Sequence, residues 1–142
     1  MAKTPSVRSI NIAAITALVP FIDKYPVLKE LLNKSKSPSN DWDFYMTVAG
    51  VGIYLLANKV NETKYKELLI ELAEFDKQSV EALNNFKAFM ENNKNEGIDL
   101  KTSAGFWVLW NIKSSQPTHD ESRELAPAIG AYLHKVISDL VS

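Results

Sequence analysis

The chain predicts an all-α fold: a single-domain helical bundle of five or six helices spanning residues 1–142, with two largely buried apolar helices. Three observations carry that expectation. Residues 41–60 hold no charge between Asp43 and Lys59, and apolar residues fall on every side of a helical wheel. A helix that is hydrophobic all round has no face to give to water and must be enclosed by other elements. The stretch is long for a strand and short for a membrane span, which needs about 20 predominantly apolar residues. Residues 100–112 form a second, almost wholly apolar segment, AGFWVLWNI at its centre. No segment shows the alternation of a half-buried strand.

Taken in order, residues 1–6 read as a polar tail, with Ser6 or Ser9 placed to cap a first core helix. Apolar residues run densely from there through Ile22. Lys3 and Arg8 followed by Ile10 to Val19 loosely imitate a secretory signal, but Asn11 and Thr16 interrupt the apolar run and no small-x-small cleavage site follows. Pro20 predicts a kink or the first turn of the next piece, because proline cannot donate to the carbonyl four residues back. Pro26 suits the first turn of a short helix through Leu28, Leu31 and Leu32. Ser35 to Asn40 is a loop by composition, delivering Asn40 or Asp41 as the cap of the central helix.

Asn61-Glu62-Thr63 marks a turn and restart. From Tyr65 to Met90 a heptad runs through Tyr65, Leu72, Ser79 and Phe86, with Leu68, Phe75, Ala82 and Phe89 three residues after each. The phase carries across Asp76–Ser79 and predicts one long helix, bent there. Its other side carries Glu67, Glu71, Glu74, Gln78, Glu81 and Asn85, an acidic stripe expected to face solvent. Asn92 to Gly97 is a loop whose glycine suits a left-handed conformation, and Asp99 is placed to cap the second apolar helix. Thr118 with Glu121 makes a capping box for the last helix, whose core positions are Leu125, Ile129, Tyr132 or Leu133, Val136 and Leu140. Pro127 and Gly130 predict a kink in it, or a start only after Ala126.

Composition excludes several functions. The chain has no cysteine, so thiolate catalysis, iron–sulfur clusters and cysteine-ligated zinc are out, and a reducing, cytoplasmic setting is the simpler expectation. The formal net charge is −1 and only Arg8 and Arg123 are arginine, whereas nucleic-acid binding calls for a basic patch. Residues 1–36 carry a local excess of four positive charges (six basic residues against Asp23 and Glu30), which reads as a solvated face. No nucleic-acid partner and no membrane span are expected.

The motifs that resemble chemistry are weak. Gly50-Val51-Gly52 imitates a dinucleotide fingerprint, but Leu55 stands at the third glycine position and no acid-tipped strand follows. These glycines and Gly105 read as places where a neighbouring helix backbone comes close. The Glu-x-x-His pairs of a di-iron bundle are missing, since Gln116 and Ala131 stand three residues before His119 and His134. His119-Asp120-Glu121 reads as an acidic first turn that complements the helix dipole. No cofactor and no metal are expected.

Four residues remain as candidate ligand or partner contacts. Trp107 and Trp110, three apart, share a helix face that a small bundle cannot wholly hide, and Tyr54 lies on the neighbouring buried helix. His134 borders the apolar stripe of the last helix. The resulting functional expectation is a non-enzymatic interaction or structural helical module, binding a protein partner or a second copy of itself. The alternative is a small apolar ligand held between the two buried helices. Behind both stands an enzyme using His134 or a nucleotide at Gly50–Gly52.

Overall fold

A computed structural model describes residues 5–24, 38–113 and 119–141, with side chains described for 5–15, 23–24, 44–111, 120 and 123–141. Six helices make up this part: α1 (Val7–Lys24), α2 (Pro38–Ala57), α3 (Glu62–Phe75), α4 (Ser79–Asn95), α5 (Leu100–Lys113) and α6 (His119–Val141). No strand occurs among the described residues. The fold is an all-α helical bundle, as the patterning required.

The central helix is α2. From Met46 to Tyr54 nine consecutive residues are buried, including Thr47, Gly50 and Gly52. Burial on every face follows from its neighbours, since α2 packs against α1, α4, α5 and α6. It starts at Pro38 rather than at Asn40 or Asp41, because the first helical turn leaves its N–H groups unbonded and a proline loses nothing there. It ends at Ala57, three residues short of the expected Val60, where the Asn58 side-chain amide and backbone N–H both donate to the Tyr54 carbonyl. The buried Thr47 hydroxyl is satisfied across the α1–α2 interface, accepting from Asn11 Nδ2 at 2.9 Å. That bond ties the first helix onto the central one while Val7, Ile10 and Ala14 fill the space between.

The expected single helix over the Glu-rich region is two. Asp76 is extended (φ −160°, ψ 126°) and ends α3, while its N–H still reaches the Leu72 carbonyl. Its carboxylate accepts from Gln78 N at 2.8 Å and its carbonyl from Ser79 N at 2.9 Å. A carboxylate that bonds the backbone two residues on competes directly with helix continuation. The apolar phase survives because Leu72, Ser79 and Phe86 are all still buried, but Phe75, at the broken end, is 39% exposed. Only Leu68 and Leu72 of α3 are buried, so it is the outer layer, set against α1 and α4.

Within the acidic stripe, Glu71 does not simply face water. Its Oε1 accepts from the backbone N–H groups of Val7 (2.6 Å) and Arg8 (3.4 Å), at the start of α1. Ser6 completes the cap by accepting from Ser9 N at 3.0 Å. A negative group on the unbonded donors of a helix N-terminus is favourable on both hydrogen-bonding and dipole grounds.

Helices α5 and α6 form the closest pair. A Cβ on Gly105 would collide with the Ala126 carbonyl oxygen, and one on Gly130 with the Lys101 carbonyl oxygen. The two glycines thus let the two backbones touch. Gly50 and Gly52 differ from expectation: they receive side chains, Ile10 and the Phe86 ring, rather than a helix backbone. α6 runs unbroken through Pro127. The carbonyl deprived of its donor belongs to Arg123, an exposed residue where water can serve it. Its core positions are Leu125, Ile129, Leu133 and Ile137; Val136 is only half-buried. Gly97 takes φ 81°, and Asp99 caps α5 by accepting from Thr102 N at 3.0 Å. The expected short helix after Pro26 and the Thr118 cap lie outside the described residues, and α1 continues through Pro20 to Lys24.

Candidate functional site

Where α2, α4 and α5 meet, several aromatic residues stay partly exposed. Phe44 and Tyr45 precede the fully buried run of α2 and are half-buried. On α5, Trp107 turns inward at 6% exposure, while Trp110, one turn on, is 42% exposed. α4 and its N-cap residue present Gln78, Glu81, Ala82 and Asn85 on one side, at spacings of three and four that share a helix face. Phe44, Tyr45 and Trp107, with these four residues and Asn111, line an open groove of about 320 Å³.

The groove has an aromatic wall. Phe44 and Tyr45 pack edge to face with ring centres 5.0 Å apart, and Tyr45 meets Trp107 in the same manner at 5.6 Å. Behind Trp107 the buried Phe86 ring stands nearly perpendicular at 5.1 Å, fixing the indole. Asn111 Nδ2 donates to the Trp107 carbonyl at 2.7 Å, which leaves its side-chain oxygen as the end that accepts. Among the described lining residues Glu81 is the one formally charged, and no described cation accompanies it there. Phe89 continues the same face of α4, and its ring meets Trp110 edge-on at 6.4 Å.

A second cavity, about 540 Å³, lies around the end of α2 and the start of α5. Leu56, Met90, Ile98 and Leu100 supply its apolar surface, and Lys87, Glu91, Lys94 and Asp99 its charges. Two of these charged groups are already engaged. Lys87 Nζ donates to the Tyr65 hydroxyl at 2.6 Å and sits 4.9 Å from the centre of that ring. The Asp99 carboxylate is held below the usual carboxylate range by the hydrogen bonds it receives from the Thr102 side chain and backbone.

Of the four residues singled out from sequence, Trp107 lines the aromatic groove, while Trp110, one turn on, does not line it and packs against Phe89. Tyr54 is buried within α2 at 5% exposure, and His134 is half-buried on α6. Neither lines either cavity. Sequence reasoning did not single out Phe44 and Tyr45, because they sit inside the uncharged run and read as core. Glu81 and Asn85 were visible only as members of the polar stripe. Asn111, an amide inside an otherwise apolar helix, was the available signal. Among the described residues no three His, Asp or Glu side chains converge to hold a metal ion, and no helix is long and apolar enough to cross a membrane. Compared with known proteins, the chain matches no family model, no curated protein and no solved structure.

Proposed function

We propose that this chain is a non-enzymatic interaction module of the cytoplasm, engaging a protein partner through the α4–α5 face. One observation carries the reading: an exposed tryptophan, Trp110, packed edge-on against Phe89, one turn along α5 from the open aromatic groove. Tryptophan is costly to leave in water and is enriched among the residues that dominate binding energy at interfaces. Trp107, in the groove wall, is braced by the buried Phe86 ring, which lowers the ordering entropy that opposes docking. A net charge of −1 opposes self-association only weakly, so a second copy is an admissible partner as well.

Native mass spectrometry of freshly purified protein, paired with a photo-crosslinking residue at position 110, tests this. The reading expects a dimer or a retained protein partner, crosslinked from position 110 and not from the exposed Glu124 on α6. A bare monomer with equal, sparse crosslinking from both positions overturns it.

The alternative, a small apolar ligand, draws its support from the other cavity, walled by Leu56, Met90, Ile98 and Leu100. Its 540 Å³ falls in the range of small-molecule sites. An apolar ligand there should leave Trp110 accessible to a fluorescence quencher, whereas a docked partner should protect it.

A further inference from the structure

The groove on α2, α4 and α5 has a chemistry more specific than apolar. Tyr45 and Trp107 stand at 77° to one another, and Phe44 and Tyr45 at 85°, so their rings form the walls of a corner. Aromatic faces carry negative quadrupole charge and attract a cation placed within about 6 Å of a ring centre. At the rim, Glu81 makes no ion pair among the described residues. The amides of Gln78, Asn85 and Asn111 add carbonyl acceptors.

A purely apolar occupant would bury these acceptors and the carboxylate without compensation, which is unfavourable. An anion would meet the Glu81 carboxylate, which repels it. An alkylammonium satisfies every part: its carbons lie along the rings, its charge faces Glu81, and its N–H groups meet the amide oxygens. The other cavity lacks this character, since Lys87 and Lys94 already stand in its lining.

We propose that the groove walled by Phe44, Tyr45 and Trp107, with Glu81 at its rim, receives the ammonium group of a lysine side chain presented by a protein partner. The inference rests on the interaction reading and names the chemistry of its contact. An open groove of about 320 Å³ suits a side chain delivered from another chain, being at the small end of ligand sites. The neighbouring Phe89 and Trp110 offer the apolar surface on which the rest of that partner lies.

The test uses the full chain and two capped tripeptides, acetyl-Gly-Lys-Gly-amide and its norleucine counterpart, which differ in the ammonium group. The indole N–H resonance of Trp107 is followed by NMR, assigned with Trp42→Phe and Trp110→Phe variants. The lysine peptide should move the Trp107 resonance and bind about tenfold more tightly than the norleucine peptide. Glu81→Gln, a change at an exposed position, should weaken the lysine peptide about fivefold and leave the norleucine peptide unaffected. Tyr45→Leu, checked for folding by circular dichroism, should weaken it similarly by removing one ring wall. Equal binding of the two peptides, or an unchanged affinity in Glu81→Gln, overturns the ammonium inference and leaves the interaction reading standing. No response at Trp107 to either peptide also overturns the ammonium inference, and a bare monomer in native mass spectrometry beside it overturns the interaction reading as well.

Discussion

Replacing Glu71 by alanine should destabilise the fold although the residue sits in an apparently solvated acidic stripe. The side chain crosses from α3 to the start of α1, where Oε1 takes the Val7 N–H at 2.6 Å and the Arg8 N–H at 3.4 Å. Val7 is 1% exposed, so few waters can replace the lost acceptor. Hydrogen bonds to charged groups contribute about 1.5–3 kcal/mol, and a charge at a helix N-terminus about 0.3–1 kcal/mol. The second bond is long and Glu71 is only half-buried, which places the expected loss near the lower end, about 1.5–2 kcal/mol. For a chain of this size that is a fall in Tm of roughly 5–8 °C. Glu71→Gln keeps the acceptor without the charge and should lose about half as much. The control is Glu67→Ala, whose partner Lys64 is 3.5 Å away with both side chains exposed; its loss should stay below about 0.5 kcal/mol. Urea denaturation of the three variants measures these values. If Glu71→Ala costs no more than Glu67→Ala, the cross-helix cap has no energetic role and the reasoning fails.

Further outcomes follow from the same packing. Gly105→Ala places a methyl group on the Ala126 carbonyl, where backbone cannot yield, and should cost about 3 kcal/mol or more, read as a loss of soluble folded protein or a large fall in Tm. Ser103→Ala removes a buried hydroxyl that has no hydrogen-bond partner among the described residues, and should leave stability unchanged or raise it by about 1 kcal/mol in urea denaturation. Asp99 has its carboxyl pKa lowered on folding, so its contribution is present above the unfolded value and is lost as pH falls through the folded one. The stability difference between the parent and Asp99→Asn should therefore shrink on acidification below the ordinary aspartate range.

Much of the architecture was legible because burial on all sides leaves an unmistakable pattern. The uncharged run before Lys59 has one physical solution in a bundle of this size, and Met46–Tyr54 adopt it. The capping roles of Ser6 and Asp99 were equally local and equally readable, and the restart at Asn61–Thr63 was visible although the Asn61 cap itself, accepting from Lys64 N, was not singled out. The break at Asp76 was harder, because periodicity reports which face is buried and not whether the backbone is continuous. Leu72 and Ser79 stay inside across two helices as they would along one. Glu71 shows the other limit: a carboxylate 64 residues from its partner in sequence carries no local sign of that partner. The groove combines both difficulties. Trp107 and Trp110 stood out by residue type, but the corner formed with Phe44 and Tyr45 depends on how three helices cross, and a single helical wheel contains no such information.

Everything positioned on this molecule hangs on α2 as its enclosed axis, so amide hydrogen exchange resolved by residue tests the account most directly. The amides from Met46 to Tyr54 should exchange only through global unfolding, with protection equal to the free energy measured by denaturation. Those of α3, buried only at Leu68 and Leu72, should exchange through smaller openings. Protection in α2 no greater than in α3 would contradict the arrangement, and with it the groove built against its first turns.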